Sequence, residues 1–133
     1  MFATLMPLAE AADPTVKTTD GTLRGMLEGN VRTFRGIPFA KPPVDDLRWR
    51  PPVSPDPWSG VRDASVNAPT ALTQCVQIPF DDSGQEDCLY LSVFAPVVDE
   101  TAPPLPIMFW IHGGGYETGS GIFFNCLSRP TIG

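Results

Sequence analysis

The chain has little with which to hold a metal. Its single histidine and three scattered cysteines lack the paired spacing that zinc sites use, so neither a metal nor a cofactor is expected. It has no apolar stretch approaching the roughly 18 residues of a membrane span, so no transmembrane segment is expected. Basic charge is also scarce: nine Lys and Arg stand against fifteen Asp and Glu, for a net charge of -6. With the arginines scattered among acidic neighbours there is no basic stripe for a phosphate backbone, and nucleic acid is set aside as a partner. Uninterrupted helical sequence is missing too. Sixteen prolines in 133 residues argue against long helices in the first hundred positions and for short strands and turns. Internal repeats, low-complexity tracts and a composition shift between domains are absent.

What is present is enough apolar sequence, 42%, for the core of one small domain. The opening "MFATLMPLAEAADPTV" reads either as a secretory leader cut near Ala11 or Ala12 or as a frayed terminus. Residues 15–37 alternate as a small antiparallel meander, with turns at Asp20-Gly21 and Glu28-Gly29-Asn30, where Gly and Asn supply the positive φ of tight hairpins. From Pro38 to Pro69 the prolines predict an extended strap, with Trp49 and Trp58 packing against a larger body. "EDCLYLSVFAP" (86–96) returns to strand character with Leu89, Leu91 and Val93 on one face. "IMFWI" (107–111) is apolar at every position, as a strand buried on both faces of a parallel sheet is. Cys75 and Cys88 bracket a loop rich in turn residues that a disulfide could close, contributing about 3 kcal/mol; on spacing alone two buried free thiols fit equally well, and Cys126 is left over.

Directly after the apolar run come His112, Gly113, Gly114 and Gly115. A buried strand running into glycines is how α/β proteins present backbone N–H groups at the carboxyl edge of a sheet. A dinucleotide fingerprint fails, because Thr118 and Phe124 stand where its third glycine belongs. A phosphate loop fails, because Ser120 stands where its lysine belongs. An oxyanion hole remains: adjacent N–H groups pointed at the oxygen that turns negative when an ester carbonyl is attacked, in a segment where side chains would block the approach. The "HGGG" form after a strand matches the lipase and esterase version; the alternative is a merely tight glycine turn.

"FRGIPFAKPPVDDLRWRPP", "PWSGVRDA", "EDCLYLSVFAP" and "FWIHGGGYETGSG" follow one another as they do at the start of type-B carboxylesterases, and from about Val16 to about Phe124 the chain resembles that α/β-hydrolase family, which includes cholinesterases and fungal lipases. The resemblance implies an α/β fold, here the amino-terminal portion of an α/β-hydrolase with a small antiparallel meander, a Pro-rich strap and the first central sheet strands. Residues 1–14 would be a leader or disordered terminus, 15–124 the amino-terminal part of the carboxylesterase domain and 125–133 a divergent tail. It implies further that Gly114 and Gly115 are the two oxyanion donors, that Gly113 makes the turn, and that His112 supports the motif structurally, since the family keeps its catalytic base far downstream. Cys75 and Cys88 would form the family's first disulfide, which implies an oxidising compartment and a secreted or secretory-pathway protein. Arg48 and Glu86 would form a salt bridge fixing this loop. The chain departs from the family at Asp45, usually Gly, and at Ser92, usually Asn. The Cys75–Cys88 loop holds no Trp, which removes the aromatic wall that cholinesterases set against a cation and makes choline esters a poor expectation.

No Gly-x-Ser-x-Gly elbow occurs in these residues, and Ser120, with glycines immediately beside it, is a poor nucleophile. Without a downstream base or acid the chain holds the oxyanion donors and no attacking group. The expected function is therefore the amino-terminal part of a serine ester hydrolase acting on a small-molecule or lipid ester through an acyl-enzyme. The alternatives are a catalytically inactive fragment or an esterase-like binding protein. The elements legible in the sequence cannot bury residues 107–111 on both faces, so the short chain alone is expected to aggregate or stay partly unfolded; a cooperative unfolding transition from soluble monomer would contradict this.

Overall fold

The computed structural model describes residues 12–66, 73–76, 84–99, 101–115 and 117–121. The leader region 1–11, the middle of the Cys75–Cys88 loop, Cys126 and the tail 125–133 lie outside these residues. Strand formation follows the alternation of the opening sequence. β1 (Thr15–Lys17) pairs antiparallel with β2 (Thr22–Arg24), and β3 (Met26–Glu28) pairs antiparallel with β4 (Val31–Pro38). At the first turn the Thr18 N–H and hydroxyl both donate to the Gly21 carbonyl, at 2.8 and 2.9 Å. At the second, Gly29 takes a left-handed φ of 61°, the conformation a two-residue hairpin loop needs.

The expected meander is thus present as two hairpins, but it is divided between two sheets. β2 pairs parallel with β5 (Val61–Asp63), giving the order β1-β2-β5; β4 pairs antiparallel with β6 (Tyr90–Pro96), giving β3-β4-β6. The division falls at Gly25, where a Cβ would collide with the Thr33 carbonyl and the Phe34 ring, so the chain passes from one sheet to the other at a contact only glycine permits. Ala64 ties the sheets together, its N–H donating to the Arg24 carbonyl and its carbonyl accepting from the Arg35 N–H, both at 2.7 Å. Arg35 is free to reach Ala64 because β4 carries a bulge between Phe34 and Ile37, with Gly36 at a left-handed φ of 65°.

The core is small and lies between these elements: Leu23, Phe34 and Ala64 are buried, with Ile37 and Trp58 packed on them. Trp58 packs as expected, and it also closes the first hairpin, its N–H donating to Asp20 O at 2.8 Å and its Nε1–H to Thr22 O at 2.9 Å. Trp49 does not pack against a body. It is 93% exposed, because it follows the 3-10 turn Asp45–Leu47 and adopts a left-handed φ of 57° that turns the strap outward. The strap is tied by the Lys41 N–H to Val53 O at 2.8 Å and by Lys41 Nζ to Asp56 at 2.6 Å.

Residues 107–111 are the other departure from expectation. They form no strand among the described residues, and Ile107, Met108 and Phe109 are 93%, 95% and 80% exposed. An apolar strand is buried on two faces only when a neighbour supplies a ladder on each side and layers above and below; neither small sheet extends to this segment. In β6 the anticipated face is likewise incomplete, with Leu91 half-buried and Val93 exposed. Among the described residues no helix is long and apolar enough to cross a membrane.

Candidate functional site

The candidate site is the loop 112–120 that follows the exposed apolar segment. Its shape comes from three glycines. Gly114, Gly115 and Gly119 adopt φ of 140°, 64° and 109°, values that side chains with a Cβ rarely take. Gly114 and Gly119 are further required by closeness: a Cβ on Gly114 would strike the Thr118 carbonyl, and one on Gly119 would strike the Gly113 carbonyl and His112 Nδ1. Gly113 itself has no left-handed φ and has open space around its Cα. The unusual dihedrals fall on the residues after it, so the turn is theirs.

The loop closes on one carbonyl. Gly114 O accepts from the Glu117 N–H at 3.1 Å, the Thr118 N–H at 3.0 Å and the Thr118 hydroxyl at 3.2 Å. His112 Nδ1 lies 3.0 Å from the Gly113 carbonyl, and only its protonated nitrogen can be the donor there. Among the described residues no acceptor takes the N–H of Gly114 or Gly115, and residues 112–115 are exposed. Two adjacent amides among the described residues are thus left without a protein acceptor on an exposed stretch of the loop. Ser120 is buried, which adds inaccessibility to its unsuitable sequence context.

The other site residues lie apart from this loop. The Cys75–Cys88 disulfide is present, with Cα atoms 5.0 Å apart. Beside it Arg48 Nη1 meets Glu86 Oε1 at 2.6 Å, both side chains about half exposed. Next along the chain, the Tyr90 hydroxyl donates to Asp87 Oδ1 at 2.8 Å, and burial, followed by that hydrogen bond, holds the phenol above its ordinary range. Arg62 lies 5.6 Å from the Trp58 ring centroid and 6.0 Å from that of Tyr90, so the foot of β6 is joined to the core tryptophan through a guanidinium.

A buried ionic cluster escaped the sequence reading. Glu28 Oε1 accepts from the Thr33 hydroxyl at 2.8 Å and from Arg35 Nη2 at 3.2 Å, and the Arg35 guanidinium stands 5.1 Å from the Phe94 centroid. Its signal was a Glu and an Arg on facing strands of one hairpin, an arrangement visible only once the register is known. The contacts of Thr118 and Gly119 have no sequence signal either, since they depend on which carbonyl lies across the loop.

Comparison with known proteins decides the lineage. Residues 12–127 match the model of the carboxylesterase family. This chain belongs to the carboxylesterase family. It is 44% identical over 124 residues to fumonisin B1 esterase of Sphingopyxis macrogoltabida, covering 90% of this chain and 23% of that protein. It is 46% identical over 111 residues to gut esterase 1 of Caenorhabditis elegans, covering 82% of this chain and 19% of that protein. Among solved structures it superimposes on a PNB esterase with a TM-score of 0.70 at 39% identity, covering 83% of this chain and 22% of that one. The carboxylesterase chain therefore has the fold of part of an α/β-hydrolase, and it spans about a fifth of the length of the relatives it matches.

Proposed function

We propose that this chain supplies the oxyanion-binding segment of a carboxylic ester hydrolase, in which Gly114 and Gly115 donate their N–H groups to the carbonyl oxygen of an ester as a serine attacks it. Family membership over residues 12–127 carries the reading, and the pair of amides left without an acceptor among the described residues, on an exposed stretch of the loop, supports it. Such donors act by standing where charge develops before it develops, so the stabilisation requires no reorganisation at the moment of reaction. The nucleophile, acid and base of the acyl-enzyme mechanism would come from sequence other than these 133 residues, which contain no Gly-x-Ser-x-Gly. The substrate would be a small-molecule or lipid ester. The Cys75–Cys88 disulfide supports assignment to an oxidising compartment, in keeping with a secretory-pathway protein.

Proline at 115 would remove one donor and could not adopt φ 64°. In the full-length hydrolase carrying this segment, Gly115→Pro should therefore lower kcat for a p-nitrophenyl ester by about 100-fold or more, as loss of an oxyanion donor does. Unchanged turnover would contradict the assignment.

A further inference from the structure

A backbone donor cannot be oriented by its own side chain; it is oriented through the peptide to which it belongs. In a planar trans peptide the C=O of one residue and the N–H of the next point in opposite directions. Whatever holds the Gly114 carbonyl inward therefore turns the Gly115 N–H outward. Three donors hold that carbonyl: the Glu117 N–H, the Thr118 N–H and the Thr118 hydroxyl, at 3.1, 3.0 and 3.2 Å. Two belong to one residue. Thr118 is half-buried at the base of the loop, whereas the glycines it faces are exposed. The preceding peptide is built the same way, with His112 Nδ1 at 3.0 Å from the Gly113 carbonyl and the Gly114 N–H on the opposite side.

Resting on the reading of this loop as an oxyanion hole, we propose that Thr118 is a positioning residue for ester hydrolysis: its grip on the Gly114 carbonyl aims the Gly115 N–H at the developing negative charge. Thr118 does not touch the substrate. Its hydroxyl fixes the peptide plane, and the benefit appears where alignment matters, in the tetrahedral transition state rather than in the bound ester. Of the three grips, the hydroxyl alone can be deleted without altering the backbone, and valine is its near-isostere.

The test compares wild type, Thr118→Val, Thr118→Ala and Thr118→Ser in the full-length hydrolase that carries this segment, using p-nitrophenyl esters for turnover and a trifluoromethyl ketone as the oxyanion-bearing analogue. Thr118→Val and Thr118→Ala should each lower kcat about tenfold with KM within about twofold of wild type, and should weaken ketone binding by a similar factor. Thr118→Ser, which restores the hydroxyl, should stay within about threefold of wild type. Wild-type kcat and ketone affinity in both hydroxyl-deleted variants, a change in KM alone, or a serine variant as impaired as the alanine one would overturn the proposal. Failure of the underlying reading looks different: wild type would not hydrolyse the esters, or Gly115→Pro would leave turnover intact. An inactive Gly115→Pro beside an unaffected Thr118→Val would overturn the role of Thr118 alone.

Discussion

At the scale of single residues, the loop depends on glycines outside the obvious triplet. Gly119 packs so closely against the Gly113 carbonyl and His112 Nδ1 that a methyl group has no room. Adding one must displace the peptide that carries the Gly114 N–H. Gly119→Ala is therefore expected to lower kcat of the full-length hydrolase by about 100-fold, comparable to deleting a donor, although residue 119 is not itself a proposed donor. Gly113→Ala meets open space and an ordinary φ and should leave the loop's shape intact. Steady-state kinetics on the two variants check this; equal effects would contradict the assignment of the turn to Gly114, Gly115 and Gly119. At this scale the sequence was informative about the triplet, because an uninterrupted apolar run ending in three glycines has few uses. It did not distinguish the glycine required for turning from the one with space to spare, since that depends on dihedral angles and on which carbonyl lies across the loop.

At the scale of elements, two ion pairs of different burial have different consequences, and the shorter is the weaker. Arg35 and Glu28 are largely buried, with the Thr33 hydroxyl donating to Glu28 and the Phe94 ring beneath Arg35, so removing the cation leaves a largely buried carboxylate without its counter-charge. Arg48 and Glu86 are half exposed at 2.6 Å, where water screens the charges. Arg35→Met should cost about 3 kcal/mol of stability, and Glu86→Gln less than about 1 kcal/mol. Urea unfolding of the two variants in the full-length hydrolase that carries this segment measures the difference, and equal costs would contradict it.

The parallel β2–β5 pair has its own electrostatic lock. Asp63 accepts from the Ser65 N–H at 3.0 Å and faces Arg24 at 3.5 Å; chiefly that backbone hydrogen bond, then the Ser65 side chain and Arg24, holds its carboxyl below the usual carboxylate range. A depressed folded value means the unfolded chain takes the proton first. The stabilisation is complete above the ordinary carboxyl range and is lost as pH falls through it and below. In the full-length hydrolase that carries this segment, Asp63→Asn should therefore show a shallower loss of stability on acidification than wild type, measured as unfolding midpoints between about pH 6 and about pH 3. Parallel curves would contradict this role. None of it was legible in the sequence: hairpin turns predict antiparallel neighbours, but the parallel partnership of residues 22–24 with residues 61–63 crosses the whole strap.

At the scale of the whole molecule, two three-stranded sheets among the described residues share a small core around Leu23, Phe34 and Ala64. The segment meant for a central sheet, residues 107–111, stands uncovered beside them. The hydrophobic pattern disclosed both that this segment belongs in an interior and that the other legible elements are too few to bury it, and its exposure agrees with the second expectation; what the pattern missed is that without those partners the segment forms no strand. Trp49 teaches the same lesson on the strap, where an aromatic that reads as an anchor is left in solvent. Under the proposed function the division is similar: Gly114 and Gly115 would supply the donors for an oxyanion, and the attacking group would come from sequence other than these 133 residues. The most direct test is hydrolysis of a p-nitrophenyl ester series by the 133-residue chain beside the same chain extended in frame through a Gly-x-Ser-x-Gly elbow, base and acid. Turnover by the extended chain alone, with none by the short one, is the predicted result. Turnover by the short chain, or none by a folded extended chain, would contradict the claim that this segment contributes the oxyanion hole of a serine ester hydrolase.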